Sequence, residues 1–168
     1  IINRVMMFAL SPVLGVTQGF LPVAGFNIGA NKNDRVKETI KKSIYFGSSI
    51  GTFIFIAIVI FKEEIIWVFT NDATLLAQTP NAMLIAFLVT PIVTLQLIGS
   101  AYFQAAGKAM PALVLTLLKQ GVFLIPLAYI LPIYYGVDGV WWSFPISDTL
   151  ATIITIWVLK REVDKNLK

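Results

Sequence analysis

GFLPVAGFNIGANKNDRVKETIKKS, residues Gly19 to Ser43, decides how the rest of the chain is read. Its first half is uncharged but holds three glycines, a proline and an asparagine, and its second half holds seven charges, five of them positive. An apolar helix that ends in a basic burst is the pattern of a membrane span meeting the cytoplasmic headgroups, where Lys and Arg accumulate. The helix-weakening residues of the apolar half need a separate reason.

Composition supports the membrane reading. Of the 168 residues 57% are hydrophobic and 13% charged, against about 25% charged in ordinary soluble domains. Mean hydropathy is +0.80. A soluble fold of this size would need a polar surface that these residues cannot supply. Cys and His are both absent. That removes disulfides and thiolate metal sites, and also the commonest general base and metal ligand. An intramembrane enzyme would need a nucleophile–base pair, a metal cluster or paired acids, so no enzyme and no cofactor is expected.

Uncharged runs locate the spans. None of the residues 5–31, 43–61 and 73–107 is charged, while 109–137 is interrupted only by Lys119 and 139–159 only by Asp148. A spanning helix needs about 20 apolar residues. The sequence therefore predicts an all-α integral membrane protein with five spans, about 4–27, 43–61, 80–104, 109–134 and 139–160. The segment 63–79, with Trp67 and Phe69 at helical spacing, is expected to lie in the outer interface. Ten of the thirteen Lys and Arg residues fall in the 27–42 and 104–108 connections and the 160–168 tail, which assigns that side, and the carboxyl terminus, to the cytoplasm. Basic loops of this kind follow from membrane insertion and do not point to nucleic acid. The chain starts on the outer side without methionine or signal peptide, so at least one further helix is expected ahead of it.

The glycines acquire a reason once a span is drawn over them. Ser11, Gly15, Gln18, Pro22, Gly25 and Gly29 recur at spacings of four and three and share one stripe of the first helix. Gly15/Gly19, Gly25/Gly29 and Gly47/Gly51 are GxxxG pairs, which predict close helix packing. Gln18 and Pro22 fit a water-lined cavity better than a lipid-facing wall, because an amide or a freed carbonyl is costly in hydrocarbon. Pro91, Pro126 and Pro145 interrupt other spans beside hydroxyls and amides, as in transporters built from broken helices. The candidate cavity-lining and substrate-contacting residues are Gln18, Pro22, Asn27, Thr90, Thr94 and Gln96. Lys119 and Asp148 each lie about ten residues into antiparallel spans and are expected to meet at mid-depth. That pair reads either as a structural tie between two helices or as part of a proton or substrate pathway. Asp148, Thr152 and Thr155 continue it as a polar stripe.

GVTQGFLPVAGFNIGANKNDRVKETIKKS (15–43), YFQAAGKAMPALVLTLLKQGVFLIPLAYILP (102–132) and WWSFPISDTL (141–150) resemble, in this order, the second, fifth and sixth helices of a lobe in the multidrug and toxic compound extrusion (MATE) family. The resemblance covers nearly the whole chain. It implies twelve helices in two six-helix lobes, with this chain as the second lobe lacking its first helix. It also implies a plasma-membrane antiporter, in bacteria of the inner membrane, that exchanges cationic amphipathic compounds for H+ or Na+. The partners implied are those substrates, the first lobe and membrane lipids. Family coupling carboxylates lie in the first lobe or in the first and fourth helices of the second. The fourth helix here, 82–104, has no Asp or Glu, which favours coupling in the first lobe. A lipid-linked oligosaccharide flippase of the same superfamily is the alternative, with Lys119 as its basic cavity residue.

Overall fold

A computed structural model describes residues 1–167, and among them there is helix and no strand. Helix α1 runs Ile2–Gly29, α2 Asn33–Phe69, α3 Ala73–Phe87, α4 Thr90–Ala105 and α5 Ala109–Leu117. A π-helical segment, Leu118–Leu124, then leads into α6, Ile125–Asn166.

Helix α1 keeps its course through Pro12 and Pro22, although neither proline can donate to the carbonyl four residues earlier. Its polar side chains turn inward on their own backbone. Ser11 Oγ donates to the Met7 carbonyl at 2.8 Å, Thr17 Oγ1 to Val13 at 3.1 Å and Asn27 Nδ2 to Val23 at 2.8 Å. Such bonds allow a hydroxyl or amide in a segment where lipid offers no partner. Just past the helix end Asn31 has φ +55°, a left-handed position that Asn tolerates better than most residues.

Two expected elements are drawn differently by the structure. The segment 63–79 is not one interfacial helix. Residues 63–69 are the last turns of α2, beyond a kink at Phe61 (φ −107°, ψ 19°), and 73–79 open α3. Extended Thr70 separates the two, and Asp72 caps α3 through the amides of Thr74 at 2.8 Å and Leu75 at 3.4 Å. The stretch folds inward because Ile66 is fully buried in an apolar cluster with Ile58, Met83 and Phe87. The span 80–104 is likewise broken: α3 and α4 meet at a bend of 44°. Pro91 in the first turn of α4 has no N–H for the Phe87 carbonyl, so the helix cannot run straight through.

Helices α1, α2 and the 109–166 stretch are each long and apolar enough to cross a membrane, and α3–α4 qualifies as a bent pair. The last stretch is a helical hairpin. Its 58 residues would extend for about 87 Å at 1.5 Å per residue, nearly three times the hydrocarbon thickness of about 30 Å. It folds back at Gly136, whose φ of 59° and ψ of −141° suit only glycine. Three contacts prove the reversal: Gly139 against the Leu131–Pro132 backbone, Lys119 on Asp148, and Lys108 on Glu162. Their midpoints all fall at residues 133–135, as an antiparallel hairpin requires.

Helix α4 is the axis of this bundle. It packs against α1, α2, α5 and α6, and between Thr90 and Phe103 each of its residues is buried or half-buried. One apolar cluster surrounds its carboxyl end (Phe20, Ala24, Ile40, Tyr102, Phe103, Leu159) and another gathers around α3 (Val5, Ile58, Met83, Phe87). Outward faces carry exposed Phe8, Phe26, Phe53, Tyr129 and Trp157. In water this would be a large aggregation-prone surface, whereas in a bilayer it is the solvated one.

Candidate functional site

The proposed cavity residues separate into two environments. Gln18 and Pro22 are exposed on α1 and Asn27 is half-buried, while Thr90, Thr94 and Gln96 are buried within the bundle along α4. They do not line one common space among the described residues. Helix α1 turns Val13, Thr17, Phe20 and Ala24 to the bundle, at spacings of four, three and four. Its small-residue stripe therefore faces away.

This corrects the packing expectation for the glycines of α1. A Cβ on Gly15, Gly19 or Gly29 would meet nothing within 4 Å, and one on Gly25 only the Ala105 carbonyl at 3.7 Å. Their helix packs through its other face, so close approach is not used there within this chain. On α2 the expectation holds: a Cβ on Gly47 would stand 2.3 Å from Thr94 Cγ2, and one on Gly51 2.7 Å from the Thr90 carbonyl oxygen. Gly99 is used in the same way, with Thr155 Cγ2 at 2.3 Å. Gly47 and Gly51 let α2 seat directly on the bend between α3 and α4.

A polar cluster forms where α4, the α5–π segment and α6 meet. Lys119 Nζ lies 2.6 Å from Asp148 Oδ1, and the two side chains are 29% and 12% exposed. The contact has the distance of an ion pair but not the angles of a hydrogen bond, so Oδ1 has no directed donor. Lys119 sits in the π-helical turn, where one extra residue per turn re-aims side chains relative to an α-helix. One turn earlier, Thr116 Oγ1 is 3.3 Å from Ser100 Oγ on α4. On α6, Ser143, Ser147 and Thr155 are fully buried, and each donates to a carbonyl of its own helix at 2.6–2.9 Å. Thr94, Gln96, Asp148 and Thr152 each keep one buried oxygen without a hydrogen-bond partner.

Sequence reasoning placed Lys119 and Asp148 as partners, and the structure brings them together. It did not anticipate the Lys108–Glu162 ion pair that ties the α4–α5 turn to the end of α6, where Asn166 Nδ2 also donates to Glu162 at 2.8 Å. The available signal was symmetry, since Lys108 and Glu162 are equidistant from the same turn as the inner pair. The π segment left no sequence mark beyond Gly121 and Pro126. Among the described residues no three Asp or Glu side chains gather as a metal site.

Comparison with known proteins agrees with this geometry. The MatE family model matches residues 1–130. The multidrug export protein MepA of Staphylococcus aureus (strain bovine RF122 / ET3-1) is 24% identical over 156 residues, which is 93% of this chain and 34% of that protein. MepA of Staphylococcus haemolyticus (strain JCSC1435) is also 24% identical over the same share. Among solved structures, the MATE multidrug transporter DinF-BH, in complex with a small molecule, is 38% identical, with a TM-score of 0.89 over 98% of this chain and 36% of that one. An inward-facing multidrug resistance MATE transporter of the MOP superfamily superimposes with a TM-score of 0.91 at 21% identity, over 97% of this chain and 38% of that one. The chain thus spans about a third of the length of these relatives. By the extent of the family match and by its helical architecture, the chain belongs to the MatE family.

Proposed function

We propose that residues 1–168 are the greater part of the second lobe of a drug–cation antiporter in the plasma membrane, with the carboxyl terminus in the cytoplasm. The observation that carries the reading is the similarity to the DinF-BH transporter, 38% identical over 98% of this chain and solved with a small molecule bound. The exposed small-residue face of α1, with Gln18 and Pro22, is the surface a facing lobe and a cationic amphipathic substrate would share. Rocking of the two lobes would expose that surface alternately to each side. Helix pair α3–α4 carries no Asp or Glu, so inward H+ or Na+ would be coupled chiefly through acidic residues outside this chain. A flippase of anionic lipid would want Lys119 free in its cavity, yet Lys119 is tied to Asp148.

The test is accumulation of ethidium, a cationic amphipathic dye, in bacteria lacking their own exporters. Cells making the full-length protein should retain less dye than control cells. A protonophore and a Na+ ionophore, applied separately, should then show which gradient drives export. Equal accumulation with and without the protein would overturn the reading.

A further inference from the structure

Thr152, Gln96 and Asp148 are 3%, 6% and 9% exposed, and each holds a buried oxygen with no hydrogen-bond partner. Other buried hydroxyls on α6 do not behave this way: those of Ser143, Ser147 and Thr155 all return to carbonyls of their own helix. The three unpartnered groups are also neighbours in depth. Helix α4 and the returning half of α6 run parallel, because Gly99 packs on Thr155 and Leu159 while Tyr102 and Phe103, further on, share an apolar cluster with Leu159 and Leu167. Gln96 and Thr152 each lie three residues before the Gly99–Thr155 contact, and so at one level. Asp148 follows one turn further along the same stripe of α6, with Lys119 Nζ 2.6 Å from its Oδ1.

Two of these oxygens, on Gln96 and Asp148, can only accept, and the Thr152 hydroxyl can donate once. They cannot satisfy one another fully, and a buried polar atom left unmet costs about 1–3 kcal/mol. Each calls for a donor that the protein does not supply. A monovalent cation is poorly suited, since the ammonium of Lys119 at 2.6 Å already compensates the carboxylate. We propose that the seam between α4 and α6 binds ordered water through Gln96 Oε1, Thr152 Oγ1 and Asp148 Oδ1, as a second, uncharged partner for the Lys119–Asp148 pair. With water at hand, the carboxylate can part from Lys119 without being left bare in a low-dielectric interior. The ion pair becomes a contact that can be exchanged during motion of the lobe.

The experiment uses the full-length protein in detergent and does not depend on export, so it can succeed or fail apart from the proposed function. Thr152→Val removes the hydroxyl and keeps the shape. If water is bound, the melting temperature falls, and X-ray-generated hydroxyl radicals label the residues flanking position 152 more strongly in wild type than in the variant. Thr155→Val, which removes an internally bonded hydroxyl, should leave that labelling unchanged. An unchanged or raised melting temperature in Thr152→Val, together with flanking residues labelled no more strongly in wild type than in the variant, would overturn the proposal. So would a melting temperature that rises with Na+ over choline in wild type but in neither Thr152→Val nor Asp148→Asn, because that pattern identifies a cation instead.

Discussion

Asp148 and Lys119 meet between two helices that lipid surrounds, and the energetics of such a pair are asymmetric. Removing one partner strands the other charge, at a cost of roughly 3–5 kcal/mol in protein interiors, while replacing both by apolar groups of similar size is often near neutral. We therefore expect Asp148→Asn to lower the melting temperature of the full-length protein in detergent, and Lys119→Met with Asp148→Leu to recover most of the loss. A stable but export-deficient double variant would assign the pair a role in transport as well as in packing. Singles as stable as wild type would show that the 2.6 Å contact carries no net energy. Gly51 is the other residue where a small change should be felt. An added Cβ would stand 2.7 Å from the Thr90 carbonyl oxygen and 3.2 Å from Pro91 Cα, both backbone atoms that cannot swing aside. Gly51→Ala should thus cost about 1–3 kcal/mol through overpacking, read as a lower melting temperature. Gly19→Ala meets nothing within 4 Å, so any cost there would report a surface contributed from outside this chain.

Among the elements, the start of α3 has a stability that responds to pH through a known contact. Asp72 accepts the amide of Thr74 and, more weakly, that of Leu75, and these bonds hold its carboxyl below the ordinary value of 3.8. A carboxylate stabilised by folding contributes above its unfolded pKa, and that contribution is lost as pH falls through the lower folded value. Asp72→Ala should accordingly lose hydrogen-exchange protection at the amides of Thr74 and Leu75 at neutral pH. The difference from wild type should shrink once pH drops below 3.8. A difference that persists in acid would mean that the cap acts through the backbone shape of the turn rather than through the charge. Elsewhere the elements are shaped by proline and glycine: Pro91 breaks α3 from α4, and Gly136 reverses α6.

At the scale of the molecule, this bundle leaves the small-residue face of α1 uncovered while its central helix, α4, has no exposed residue between Thr90 and Phe103. A bundle organised in this way has a covered interior and one open side. Residues 1–168 produced alone should insert into membranes and give no ethidium export, whereas the full-length protein should lower dye accumulation. Export by the 168 residues unaided would refute the need for a facing lobe.

Much was legible in the sequence because lipid imposes simple rules. The uncharged runs, the basic connections and the Lys119–Asp148 depth match follow from the cost of bare charge and unpaired backbone in hydrocarbon, which acts on each residue almost independently of its neighbours. The long apolar helices and the Lys119–Asp148 ion pair could be read on that basis. Which face of α1 turns inward could not, since small and greasy stripes can both pack on a helix, and the choice depends on the shape of α4 and α2 opposite. The same holds for the division of 63–79, drawn inward by Ile66 finding Met83 and Phe87, and for the π turn that aims Lys119. Those outcomes rest on packing between residues distant in sequence, and only the tertiary structure brings such residues together.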